Sequence, residues 1–457
     1  MRFKNACLIA GAALIVAGCS TIDPLSGPDF NSGSADFTTY VALGTSLADG
    51  VESGGSVDRH QINSYASLFA RQLGVTTFDR EFINGDGLSL DGLSACLEIK
   101  SLSPVVLISA AGRTLGAPTN LAFAGDFHNL GVPGALVSDV FDTTTYYHPA
   151  RANAHFAFVL RHRGSIEQTL TRLSPSFVSF EYGANEMIGR VTGGSGIPVL
   201  NSAQFGFALN AALDTVETAA PNANFALFNV PDPTIIPFAT TFSPVTRDNG
   251  GNIVSLRVQT SPADTTPGSG TTIGIGGRVL LTAGPLLATG RGFPVGSSSY
   301  ITGAPGTGVP LPDAVVLTSA EVANLRNELS GYNAAIAAQA AARGMALVDL
   351  AGVFQRAATT GLTWNGRTYT TAFITGGLFS LDGVHPTDQG YGFLANVLID
   401  AVNARYGSNI QRVNIESLTA TNSSLRIERG DEGPIYPLIE NAPEVYRRMF
   451  PLPPGME

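Results

Sequence analysis

The stretch Val41-Ala-Leu-Gly-Thr-Ser-Leu-Ala-Asp-Gly50 runs from apolar, strand-forming residues into a glycine, and a hydroxyl pair, Thr45 and Ser46, then stands where a helix can begin. Phe37 to Leu43 reads as a buried strand. A strand that turns directly into a helix is the repeating unit of parallel sheets. It recurs at Phe177–Tyr182, Phe225–Val230 and Met345–Asp349.

Helical patterns separate these strands. Residues 63–73 place Tyr65, Leu68, Phe69 and Leu73 on one face and end at Gly74. Ser165 with Gln168, and Thr318 with Glu321, have the spacing of capping boxes. Phe205, Leu209, Leu213 and Val216 form an apolar stripe, and Val322, Leu325, Leu329 and Ile336 form another in an alanine-rich helix ending near Gly344. A last helix covers roughly Asp388 to Tyr406. Strands alternating with helices predict an α/β fold, a three-layer α/β/α sandwich around a mostly parallel sheet.

Two stretches break the alternation, near 80–125 and 238–315. The second is rich in Gly, Thr, Ser and Pro yet holds Ile273, Val279, Leu280, Leu281, Leu286 and Leu287, so ordered loops or a small hairpin over the core are expected. Residues 411–457 form a C-terminal extension, expected to be extended along the surface.

The N-terminus carries an export pattern. Arg2 and Lys4 precede an apolar segment from Ala6 to Ala17, too short to span a bilayer, followed by Gly18-Cys19-Ser20. The small residues before Cys19 resemble the lipobox of bacterial lipoproteins. That resemblance implies a signal peptide over 1–18, acylation of Cys19, a tether over 19–36, and a membrane partner reached through the lipid. Ser20, in place of Asp, implies the outer membrane. The best later candidate for a membrane span, Val279–Ala288, is interrupted by Gly284 and Pro285. With Cys7 in the leader and Cys19 lipidated, Cys96 has no partner, so no disulfide is expected. Only 14% of residues are charged and the net charge is −10, without a basic stripe, which disfavours nucleic acid as a partner.

In an open parallel sheet, functional groups gather beyond the carboxyl ends of the strands, where Ser46 stands. Ser and Thr are also common helix caps, so position alone does not make Ser46 a nucleophile. A serine hydroxyl needs a base, usually histidine, oriented by a carboxylate. Of six histidines, only His385 has an acidic residue three positions earlier, Asp382, in the segment Ser380-Leu-Asp-Gly-Val-His-Pro386. Pro386 favours an extended backbone at His385, and Gly383 permits a tight turn. The segments Asn129-Leu-Gly131-Val-Pro-Gly134 and Gly183-Ala-Asn185-Glu186 supply a glycine N–H and a side-chain amide, the donor types an oxyanion hole requires. His148, His155 and His162 recur every seven residues, not the i, i+4 spacing that helical zinc ligands favour, so no metal is expected. His128, beside the glycine segment, is a candidate for a supporting or substrate contact.

These four segments, in this order, resemble the blocks of the SGNH/GDSL hydrolase superfamily: GTSL at 44–47, NLGVPG at 129–134, GANE at 183–186 and DGVH at 382–385. The resemblance covers roughly residues 37–410. It implies a flavodoxin-like sheet of about five strands, with Ser46 as nucleophile, His385 as base and Asp382 as its orienting acid. It further implies an oxyanion hole from the Ser46 and Gly131 N–H groups and the Asn185 side chain, and no cofactor. Thr45 and Glu186 stand where the family usually has aspartates, which bears on the bracing of the nucleophile and of Asn185. The implied activity is serine ester hydrolysis of a lipid or an acylated small molecule. Carbohydrate O-acetyl esterase activity, or an inactive lipid- or glycan-binding lipoprotein on the same fold, are the alternatives. The 238–315 insertion is a candidate for shaping an acyl-chain groove.

Overall fold

The computed structural model describes residues 30–102, 105–108, 113–144, 146–147, 153–193, 200–418, 436–439 and 442–450. The leader, Cys19 and residues 20–29 of the tether lie outside the described residues.

Five parallel strands form the central sheet: β1 (Tyr40–Gly44), β2 (Asn129–Gly131), β3 (Phe177–Phe180), β4 (Asn224–Phe228) and β5 (Ala346–Val348), in the order β5-β4-β3-β1-β2. The chain leaves β1 for β2 on one side and returns to β3 on the other, so the strand order reverses at β1. A crevice forms there beyond the carboxyl ends. β2 is the strand that sequence periodicity missed. It has three residues, too few to show a period, and exists because Leu130 and Gly131 pair with Leu43 and Gly44.

Each strand divides its side chains between two apolar layers, as the pleat requires. Tyr40, Ala42, Phe177, Ala226, Phe228, Ala346 and Val348 face one layer. Helices α2 (Tyr65–Leu73), α7 (Leu350–Thr359) and α8 (Asp388–Tyr406) cover it. Val41, Leu43, Val178, Phe180, Phe225 and Leu227 face the other, against α3 (Ile166–Leu173), α5 (Ser202–Ala219) and α6 (Ser319–Arg343). The capping boxes of α3 and α6 form at Ser165/Gln168 and Thr318/Glu321, and Gly74 ends α2 at φ +68°.

Residues 238–315 are ordered into short antiparallel pieces, including a hairpin of Val245–Arg247 with Ile253–Ser255, and Arg278–Val279 paired with Val316–Leu317 outside the stretch. Their buried apolar residues join the first layer. The C-terminal extension departs from the expectation of an extended tail. Leu438–Ile439 adds a parallel strand to Val105–Ile108, and α9 (Ala442–Met449) follows. Ala442, Val445, Tyr446 and Met449, at helical spacing, are buried together, a periodicity hidden in the sequence by the interleaved charges Glu444, Arg447 and Arg448. Among the described residues, no helix is long and apolar enough to cross a membrane.

Candidate active site

The turn between β1 and α1 (Ser46–Asp49) is held from the neighbouring strand. Thr45 does not cap α1 with its side chain. Its hydroxyl donates to Glu181 at 2.9 Å, and its backbone N–H donates to Glu181 Oε2 at 3.0 Å. Glu181 follows β3 and is buried, and burial pushes its carboxyl up to about 8. Threonine and a protonated carboxyl therefore brace the turn. Sequence reading passed over Glu181. Among the described residues, no acceptor is bonded to the Ser46 N–H, which lies in the unpaired first turn of α1.

The second element is the loop before α8. Ser380 N–H donates to His385 O at 2.8 Å, and Gly383 turns the chain at φ +71°, a left-handed conformation that glycine adopts without strain. Asp382 is fully buried and uses both oxygens. Oδ2 accepts from His385 Nδ1 at 2.7 Å, while Oδ1 accepts the N–H groups of Val384 and His385, each at 2.8 Å, and the Ser380 hydroxyl at 3.2 Å. Burial opposes its ionisation, but the imidazole and these donors outweigh it and hold the carboxyl below its usual value. With Nδ1 turned to Asp382, Nε2 is the imidazole nitrogen left to the crevice.

Three contacts join this loop and the first turn of α8 to the residues just after α1 across the sequence. Ser53 N–H donates to Ser380 Oγ at 2.9 Å, between residues 327 positions apart. Leu381 N–H donates to Ser53 Oγ at 3.4 Å, and Tyr391 OH donates to Val51 O at 2.6 Å. Ser46 and His385 consequently border one cavity, with Asn185. No hydrogen bond joins the Ser46 hydroxyl to the imidazole here. Such contacts are often long before substrate binds.

The glycine segment differs from expectation. Gly131 ends β2 beneath α1, where a Cβ would come within 2.8 Å of the Ala48 methyl. Its N–H donates to Asn129 Oδ1 at 3.0 Å, and it is not on the cavity wall. Asn129 also donates to Ala48 O at 2.7 Å, tying β2 to α1. Gly134, at φ +76°, is the glycine of this segment on the wall. The preceding Pro133 was the available signal, since Pro-Gly marks a turn that can swing backbone toward a ligand. Asn185 opens α4 (Asn185–Gly193) and gives one amide hydrogen to Ala135 O at 2.7 Å. Its second amide hydrogen is left for the cavity. Glu186 accepts the Val137 N–H at 2.6 Å, so the chain just past the glycine segment is held at Ala135 and Val137 by neighbouring residues of α4.

The cavity measures about 920 Å³, open solvent at its mouth included. Apart from Thr45, Ser46, Asn185 and His385, its wall is glycine, proline, alanine and larger apolar side chains, among them Leu47, Leu136, Ile188, Ile236 and Phe354. Residues 238–315 contribute nothing to that wall. They instead buttress the histidine loop from below: Phe238 N–H donates to Gly383 O at 2.9 Å, and Leu281 packs where a Cβ on Gly383 would lie.

The other histidines have structural partners. His128 Nδ1 accepts the Asp79 N–H at 3.2 Å, away from the cavity wall. His155 is buried between Glu81 and Ser89 O, and the His162 ring lies 4.0 Å from that of Tyr147. His148 lies outside the described residues. Among those described, Glu52, His60 and Asp388 bring potential ligand atoms within 4.8 Å of one another. Burial favours neutral His60, but Glu52 at 3.2 Å and Asp388 at 3.1 Å prevail and raise its affinity for a proton. The three make a buried imidazole flanked by two carboxylates.

Buried acids near the nucleophile turn make stability depend on pH. Burial, reinforced by Glu81, pushes Asp49 up to about 7, and burial pushes Glu81 up to about 8, as it does Glu181. The folded chain then binds more protons than the unfolded one above the ordinary carboxylate range, so stability falls as pH rises through these values. The melting temperature is expected to drop by on the order of 5 °C between about pH 5 and about pH 9. Glu181→Gln should flatten part of that slope, as read by calorimetry across the range.

The family model for the GDSL-like lipase/acylhydrolase domain matches residues 40–398. Among solved structures, a candidate GDSL-like lipase from Parabacteroides merdae is similar at 12% identity and a TM-score of 0.34, covering 82% of this chain and 99% of that one. Phospholipase A1 from Streptomyces albidoflavus is similar at 15% identity and a TM-score of 0.32, covering 81% and 100%. No curated protein matches. With the matched region running from β1 into α8 and enclosing all four segments of the site, the chain belongs to the GDSL-like lipase/acylhydrolase family and is a hydrolase of ester bonds.

Proposed function

We propose that the chain hydrolyses esters of apolar acyl groups through an acyl-enzyme on Ser46. The observation that carries this reading is the Asp382–His385 pair, bonded at 2.7 Å, whose imidazole borders the same apolar cavity as Ser46. His385 Nε2 takes the Ser46 proton as Oγ attacks the ester carbonyl. The tetrahedral oxyanion is met by the Ser46 N–H and the Asn185 amide, with Gly134, not Gly131, as the glycine bordering that position. Collapse breaks the ester C–O bond, and His385 returns the proton to the departing alcohol. Water, deprotonated by the same imidazole, then releases the acid and restores Ser46.

The apolar wall favours an acyl chain over an acetylated carbohydrate, because a sugar's hydroxyls would lose their water without finding partners there. The segment Val16–Cys19 supports attachment to a bacterial membrane through a lipidated Cys19, and Ser20 after it favours the outer membrane. The test is a fluorophosphonate probe together with p-nitrophenyl esters of increasing chain length. Labelling at Ser46 and a preference for chains longer than acetyl are expected. A sharp preference for acetate would favour the carbohydrate esterase, and neither labelling nor hydrolysis would favour an inert binding protein.

A further inference from the structure

The C-terminal helix reaches the site that the family resemblance leaves to residues before 410. Its approach is fixed at both ends. Upstream, Leu438 and Ile439 pair in parallel with Val106 and Leu107. Downstream, Met449 is fully buried beside Gly54, whose missing Cβ leaves room for the sulfur. Between them, buried Tyr446 donates its hydroxyl to the backbone carbonyl of Asp382 at 3.1 Å and meets the Phe238 ring edge-on at 4.7 Å. The helix is thus bolted to the very loop that carries the acid and the histidine.

Phe450, just past this helix, is half-buried and lies on the cavity wall. Its ring is stacked on the imidazole of His385, with centroids 5.6 Å apart and planes 12° from parallel.

We infer that Phe450 is a specificity-determining residue, supplying the wall against which the acyl chain lies as it leaves the reacting carbonyl beside His385. This rests on the proposed acyl-enzyme reading. An acetyl group ends before it can cover the ring, whereas a longer chain buries methylenes against it. Each methylene gained or lost in such contact changes discrimination severalfold.

The experiment compares kcat/KM for p-nitrophenyl octanoate and p-nitrophenyl acetate in the full chain. Phe450→Ala is expected to lower the octanoate-to-acetate ratio by about tenfold, mainly through KM for octanoate. Phe450→Leu, which keeps apolar bulk and secures the test if the alanine variant misfolds, should lower the ratio by about threefold. A ratio unchanged in the leucine variant, or in a folded alanine variant, would overturn the assignment. An equal loss of kcat for both esters would also overturn it, since the ring would then serve only to steady the imidazole. Fluorophosphonate labelling of the wild-type chain separates the two readings. Without labelling the acyl-enzyme itself fails, whereas labelling with an unchanged ratio removes only the role of Phe450.

Discussion

Ser46→Ala is expected to lower kcat/KM for a p-nitrophenyl ester by about 10⁴-fold or more, and His385→Ala by a similar factor. The two residues perform one step, transfer of a proton as the C–O bond forms, so losing either leaves the other without a task. Hence the double variant should be scarcely worse than either single one. What remains in each case is binding and the oxyanion donors, which do not depend on the nucleophile hydroxyl. The small side chain at position 46 borders a cavity, so alanine should fold with an unchanged melting temperature and circular dichroism spectrum. Steady-state kinetics on purified variants measure the effect. Losses that multiply in the double variant would show that Ser46 and His385 act independently, and the proposed mechanism would fail.

Asp382→Asn should cost both activity and stability. The carboxylate takes the imidazole on one oxygen and three donors on the other. An amide cannot serve both sides as an acceptor. If its NH₂ group turns toward His385, the imidazole must accept at Nδ1 and carry its proton on Nε2, the wrong tautomer for a base. If it turns the other way, it opposes the N–H groups of Val384 and His385. The expected loss in kcat is about 10³–10⁴-fold, and the strained, fully buried loop should cost about 1–3 kcal/mol in denaturant unfolding. The substitution also changes the acid limb of the stability profile. Asp382 titrates below its ordinary value when folded, so its contribution is present above the usual carboxylate range and is lost as pH falls. The variant should lack that component, leaving the decline toward high pH from Asp49, Glu81 and Glu181 in place. A variant with full activity would mean that Asp382 does not orient the base.

Much of the fold was legible in local pattern. The strands at 40, 177, 224 and 346 announced themselves by buried β-forming residues, and the helices by stripes and caps that the structure reproduces at Ser165, Thr318 and Gly74. The Asp382–His385 contact was legible too, because a spacing of three residues with a glycine between allows a turn that brings those side chains together. The misreadings share another character. Gly131 and Gly134 are equivalent as letters, and only the pairing of β2 with β1 sends the first under α1 and the second to the cavity. The apolar insertion at 238–315 looked like an acyl groove, but its hydrophobic residues were needed against the first core layer and under Gly383.

The sequence by itself determined the alternating α/β architecture and the pairing of an acid with a histidine, because periodicity, capping and short loops are decided within one turn or strand of chain. Only the tertiary structure decided that Glu181 holds Thr45, that Gly134 displaces Gly131 at the cavity, and that Phe450 lies on His385. Those are contacts between distant segments, selected by which buried surfaces and hydrogen-bonding groups must be satisfied together, and no local pattern records that choice.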